Sequence, residues 1–182
     1  MNLENIIRFF KHLVWGVSME YNACILSLGY VLSRDKTKAL LLFHNSNPND
    51  FSYGKYNGYS DFVRSNESAL ECFERSVMEM TGLKVRNSRF RGSVHWPNFK
   101  QSQKSFFSQI FICDDYENIY KEFNLLGQNR WVTVSELLRG DVPIWEGDKH
   151  FLPLVFDKDP APFHGYMPYE RGVPRDWFFK RA

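Results

Sequence analysis

Between Asp61 and Glu79 the chain places the carboxylates of Asp61, Glu67, Glu71, Glu74 and Glu79 around Arg75. These supply oxygen ligands of the kind a hard cation takes. They also have a plainer reading. On a helix, Arg75 meets Glu71 or Glu79 at a spacing of four, an ordinary ion pair, and Glu79 can simply face water. Elsewhere the chemistry is thin. His44, His95 and His164 show no ligand spacing and read as packing or hydrogen-bonding residues. Cys24, Cys72 and Cys113 are scattered, odd in number and without a Cys-x-x-Cys pair. They indicate neither a zinc site nor a disulfide framework, and a reducing compartment suits them. No Ser/His/Asp or Cys/His nucleophile pattern is readable.

The elements that must position these residues follow from periodicity. Ala23–Leu32 and Ala39–Phe43 are apolar runs around the turn Asp35–Lys36–Thr37, a buried hairpin. The Asn- and Gly-rich stretch His44–Gly58 reads as a loop. A helix opens at Asn66–Ser68 and runs to about Thr81, with Gly82 as its stop. Leu70, Phe73, Val77 and Met80 recur at three and four residues, predicting the buried face. Ser88–Val94, Phe106–Cys113 and Arg130–Val132 read as strands, Val134–Leu138 as a helical turn, Trp145–Phe156 as a long helix, and Phe163–Tyr169 and Asp176–Lys180 as late strands. This mixed order implies an α/β fold, a mixed β-sheet sandwiched between helices.

The frame from Ser60 to Leu83 resembles a Nudix box, Gly-x5-Glu-x7-Arg-Glu-U-x-Glu-Glu-x-Gly-U, where U is a bulky aliphatic. The alignment needs no gap. Asp61 stands for the first glycine, Glu67 for the first glutamate, and Arg75 for the arginine; Ser76 replaces the next glutamate, Glu79 is kept, Met80 replaces the last glutamate, and Gly82 and Leu83 close the motif. Two further segments agree in order. Lys55–Tyr56–Asn57–Gly58 is similar to the Lys/Arg-Trp-Asn-Gly segment of the MutT-type oxidised-purine (8-oxo-dGTP) nucleoside triphosphate diphosphatases. Trp145–Glu146–Gly147–Asp148, with Phe151–Leu154 and Phe163–Tyr166, resembles their C-terminal signature. The likeness spans about Met19 to Tyr169. It implies a Nudix domain over 19–182, preceded by an extension over 1–18.

The resemblance also implies a chemistry. Nudix enzymes use Mg2+ to cleave a nucleoside diphosphate linked to another group, with water attacking phosphorus. Their helix presents carboxylates at i, i+3 and i+4, which share one face. Here those positions are Ser76, Glu79 and Met80, so only one carries charge. A hydroxyl is a poor magnesium ligand, and a thioether suits soft metals. Leu126 falls where the family recruits a further glutamate. Glu67 and Glu79 are left to hold magnesium weakly. The opening glycine is replaced within Ser60–Asp61–Phe62, where side chains are expected to crowd a glycine turn. By contrast, Asn57, Trp145 and Asp148 match the residues that meet the base. An amide and a carboxylate can read a purine edge while an indole covers its face; Trp145 also reads as a core anchor.

Three functions are consistent with these residues. The first is a nucleotide-binding Nudix domain with impaired or absent diphosphatase activity. The second is a magnesium-dependent hydrolase of purine nucleoside triphosphates that draws ligands from Asp61, Glu67, Glu74 and Glu79. The third is a structural or regulatory subunit. Bulk properties narrow the partners. A net charge of +2 without a basic cluster argues against duplex DNA. No apolar run reaches the roughly 18 residues of a membrane span. Met1–Ser18 alternates Ile6, Ile7, Phe9, Phe10, Leu13 and Val14 with Arg8, Lys11 and His12. That pattern reads as an amphipathic helix that docks on the domain or on a protein partner, lies on a membrane surface, or targets an organelle. A cytoplasmic location is expected, with a mitochondrial one as the alternative.

Overall fold

A computed structural model describes residues 23–99 and 104–182. The amphipathic segment 1–18 and the partner assigned to it lie outside the described residues. Strands β1 (Ala23–Leu32), β2 (Lys38–His44), β3 (Tyr56–Asn57) and β4 (Tyr59–Phe62) precede helix α1 (Ala69–Thr81). Next come β5 (Lys84–Arg86), β6 (Arg89–Phe99), β7 (Lys104–Cys113), β8 (Asp115–Glu117) and β9 (Gly127–Thr133), then α2 (Val134–Arg139) and α3 (Asp148–Phe156). Four short strands follow, β10 (Phe163–Tyr166), β11 (Tyr169–Glu170), β12 (Val173–Pro174) and β13 (Phe178–Arg181).

The main sheet is mixed, and it forks along β1. One edge of β1 runs parallel to β7, from Ala23 opposite Ser105 to Val31 opposite Cys113. The other edge serves two partners in turn: β4 pairs with Leu26–Gly29, and β2 takes over at Val31 and Leu32. β2 then carries β9 and the short β3. Side chains alternate across a strand, so the two faces build two cores. Leu28, Tyr30, Leu41, Val94 and Ile110 pack with Leu137, Phe151 and Val155 from α2 and α3. Val31, Leu40, Leu42 and Phe111 pack with Phe73 and Val77 from α1. The expected helix–sheet–helix arrangement is therefore present.

Helix α1 owes its ends to local chemistry. Ser68 and Glu71 form a reciprocal capping box, and Gly82 ends the helix in the left-handed conformation. Its buried residues are Ala69, Cys72, Phe73, Ser76, Val77 and Thr81. The predicted stripe is thus rotated: Leu70 faces outward, and Ser76 is fully buried. The rotation follows from Gly29, where a Cβ would overlap the Phe73 ring. That close approach seats α1 on the strand with Phe73 and Val77 downward.

Several boundaries differ from the sequence reading. The stretch expected as one loop holds β3, and β4 follows directly as a regular strand. The long helix expected from Trp145 starts at Asp148, with a turn before it. Phe163–Tyr169 divides into β10 and the start of β11. β6 extends through Trp96 to Phe99, well beyond Val94. Among the described residues, no helix is long and apolar enough to cross a membrane.

Candidate active site

Two groups of side chains lie on opposite faces of β4. On the α1 face, Arg75 is the hub. Its Nε and Nη2 donate to the two carboxylate oxygens of Glu67 at 2.9 and 2.8 Å, a two-pronged ion pair. Its Nη1 donates to Asp61 at 2.7 Å and, more weakly, to Glu79 at 3.3 Å. Arg75 and Glu67 are mostly buried, with 16% and 11% of their side chains exposed. The Arg75 guanidinium, helped by the Arg64 backbone N–H, holds the Glu67 carboxyl down to about 2. Glu67 and Asp61 in turn raise the affinity of Arg75 for its proton. Cys72 lies beneath, its Sγ 3.4 Å from Nη2, and burial pushes its thiol up to about 11. Glu71, one of the two glutamates expected to pair with Arg75, instead serves the helix cap.

Asp61 corrects a further expectation. The segment Ser60–Asp61–Phe62 is extended and paired with β1, so its side chains crowd no glycine turn. Alternation along the strand instead aims Asp61 at Arg75.

The helix positions named for magnesium do not suit that ion. Ser76 is sealed in the core, with its hydroxyl 3.9 Å from the Met80 sulfur. Met80 and Glu79 border an open hollow that also includes Lys121, Leu125 and Leu126. Leu126 lines the hollow beside Glu79 and Met80 and brings an apolar side chain to it. Glu79 is shared with Arg75 and Arg64. Glu74 takes no part in the Arg75 cluster. Among the described residues, no three His, Cys, Asp or Glu side chains are grouped to hold a metal. Magnesium requires several charged or carbonyl oxygens in an octahedron. A thioether, a buried hydroxyl, an ammonium and carboxylates already engaged by arginine do not provide them.

The other face of β4 is different. Ser60 and Phe62 border a cavity of about 320 Å3, which Asn57, Trp145 and Asp148 also line. Its walls are mainly aromatic: Trp96, Phe99, Phe106 and Tyr169 join Trp145 and Phe51. Trp145 is held between neighbours, with the Phe51 ring centroid at 5.3 Å and Lys55 Nζ 5.1 Å above its ring. Asn57 is fixed by β3 opposite Leu42. Asp148 starts α3, where a helix terminus would favour its charge. Burial wins and pushes its carboxyl up to about 7. The nearby phenols of Tyr30 and Tyr169 are raised first by burial and then by the charge of Asp148. Sequence reasoning did not find Phe51, Trp96, Phe99, Phe106 or Tyr169. Their common signal was only a high aromatic content, because they come from four distant segments.

His95 and His164 serve structure. His164 Nδ1 lies 2.9 Å from Ser93 Oγ, and His95 packs against Phe107 and Tyr166. Burial lowers the proton affinity of His44.

This fold and site define a class, and comparison with known proteins agrees. The NUDIX domain family profile matches residues 26–155, most of the chain, and the chain belongs to that family. The NAD-capped RNA hydrolase NudC of Actinobacillus succinogenes is 32% identical over 127 residues, 64% of this chain and 46% of that protein. Its counterpart in Pseudomonas syringae pv. syringae is 34% identical over 89 residues, 48% of this chain and 30% of that protein. The matches thus span less than half the length of these curated relatives. Among solved structures, the mutator MutT protein of Bacillus halodurans superposes with a TM-score of 0.71 at 20% identity, covering 86% of this chain and 97% of that one. The Nudix domain of Shewanella oneidensis NrtR, complexed with ADP ribose, gives a TM-score of 0.59 at 12% identity, covering 80% and 94%. At these identities the two structures establish the fold.

Proposed function

We propose that residues 19–182 form a nucleotide-binding Nudix domain in which diphosphatase activity is impaired or absent. The observation that carries this reading is the contrast across β4. Asn57, Trp145 and Asp148 converge on one aromatic-walled cavity, while α1 offers Ser76 and Met80 where two carboxylates would be needed. A cavity of about 320 Å3 is at the small end for ligand sites. It suits a base, leaving sugar and phosphates outside. The indole stacks on the ring, and Asn57 and Asp148 address its edge. Because Asp148 titrates near neutrality, its carboxyl can donate as well as accept. A purine is therefore the favoured base, oxidised or not.

The names of similar proteins widen the ligand set to be tried. NudC relatives act on NAD-capped RNA, and the NrtR domain binds ADP ribose; both ligands carry adenine on a diphosphate. The bacterial NudC relatives support a cytoplasmic setting over a mitochondrial one.

The test is calorimetric titration with 8-oxo-dGTP, dGTP, NAD and ADP-ribose, followed by product analysis. The expected result is saturable binding of at least one of them with unhydrolysed ligand recovered. If none binds with a Kd below about 1 mM, the cavity is a remnant and a scaffold role takes precedence.

A further inference from the structure

A second cavity, of about 520 Å3, opens away from β4 between the start of β6 and the C-terminus of α3. Its floor is apolar, formed by Leu32, Ile112, Val134, Val155 and Phe156. Its walls are not. Lys36, Arg89, Arg91 and Lys158 line it against a single carboxylate, Asp157.

Arg91 reaches this cavity through a specific backbone device. The β6–β7 register shifts between Phe90 and Gly92, so Arg91 is the additional residue of a β-bulge. Bulges re-aim side chains, often next to sites. The bulge needs glycine at position 92, where φ is +158° and a Cβ would overlap Phe163. The result is a guanidinium with only 7% of its side chain exposed. Arg91 Nε donates to Val155 O at 2.9 Å, and Nη2 donates to Leu154 O at 3.0 Å and Asp157 Oδ1 at 2.8 Å. These bonds satisfy the last carbonyls of α3. The other amino group, Nη1, has no partner among the described residues.

The nearby acids do not cancel the remaining charge. Asp157 is shared by Arg91 and Arg181, Asp159 also pairs with Arg181, and Asp114 is shared by Lys36 and Arg89, so five cations face three carboxylates. Lys158 makes no ion pair among the described residues. Excess positive charge over a low-dielectric floor attracts anions far more strongly than the same charges would on an open surface.

We propose that this cavity binds a small organic anion, with a phosphate or carboxylate meeting Arg91, Arg89 and Lys158 and an apolar body lying on Ile112, Val155 and Phe156. The site is separate from the nucleotide cavity, so the two can be occupied and disrupted independently.

The test uses the full chain, isotope-labelled for NMR, with phenyl phosphate as the probe and benzyl alcohol as its uncharged counterpart. Phenyl phosphate is expected to shift the Arg91 side-chain N–H and the Ile112 and Val155 methyls, saturating below about 1 mM. Benzyl alcohol should not saturate over the same range. Lys158→Glu changes an exposed, unpaired residue and leaves folding intact; it should weaken binding about tenfold or more, as expected when an opposite-charge contact becomes repulsive. Val134→Trp fills the floor and should abolish the shifts, whereas Trp145→Ala should leave them unchanged. Equal binding of the two probes, no effect of Lys158→Glu, or shifts confined to residues around Trp145 would each overturn the proposal.

Discussion

On one face of β4, Ser60 and Phe62 border a cavity that an amide, an indole and a carboxylate line together; on the other, Asp61 enters a cluster of acids that are hydrogen-bonded to Arg75. The backbone on the two sides is equally regular. β4 keeps its register with β1, and α1 keeps both caps. The difference lies in side chains alone, chiefly at positions 76 and 80. On the function proposed above, the frame keeps its backbone because Ser76 and Met80 place neutral groups where buried charge would otherwise need a cation to balance it. The cavity side has no such requirement. An aromatic cavity is stabilised by its own packing, whether or not catalysis follows.

The comparison is broken most forcefully by restoring charge to α1. Ser76→Glu with Met80→Glu puts a carboxylate at a fully buried position. Without a cation this should lower Tm by about 5–15 °C. Magnesium should recover much of the loss, and pyrophosphate release from a purine triphosphate should appear. A Tm that ignores magnesium would mean that position 76 faces no ion site.

The next effect concerns the indole. Trp145→Ala should weaken purine nucleotide binding by one to two decades, since stacking on a base is worth about 1–3 kcal/mol. Thermal melting beside calorimetry separates lost stacking from lost packing, because Trp145 also touches Phe51 and Lys55. Unchanged affinity in a folded variant would remove the indole from the binding face.

Asp148 gives a smaller, pH-dependent signature. Its carboxyl titrates near 7 in the folded chain and near 4 when unfolded. Between those values the folded state holds the extra proton, so stability falls as pH rises, and the full cost is felt above about 7. Asp148→Asn should raise stability by about 2–4 kcal/mol at pH 8 and by little at pH 4. Denaturant melts at the two pH values measure this; a constant difference would contradict a buried, neutral carboxyl.

The smallest effect belongs to Glu67. Its folded carboxyl is depressed to about 2, so its contribution is present above the unfolded value and fades as pH falls toward 2. Glu67→Gln should lower Tm at pH 6 and converge with the wild type near pH 2. Equal acid limbs at all pH values would show that the Arg75 pair contributes nothing.

How much of this was legible in sequence varies by region. The ungapped frame from Asp61 to Leu83 identified both α1 and the fold, because its spacing encodes one helix face and its stop. The stop at Gly82 was equally readable, and the start was placed within Asn66–Ser68, since both depend on neighbours in sequence. The role of Asp61 was not: it was read as an intruder in a glycine turn, whereas strand pairing with β1 makes it a partner of Arg75. The aromatic walls were hidden for a related reason. Trp96 and Phe106 meet only through β6–β7 register, and Phe51 arrives from a loop. Glu71 shows the opposite failure, a local spacing that suggested an ion pair and was used by the cap.

The central claim is that base binding has been kept while metal dependence has been lost. The most direct measurement is the affinity of the unmodified chain for a purine nucleotide, with magnesium and then with a chelator, alongside pyrophosphate release in the same samples. The account predicts that the two affinities agree within about threefold and that no turnover is detected. Affinity that collapses with the chelator, or turnover approaching an ordinary enzymatic rate of about 1 per second, would contradict it.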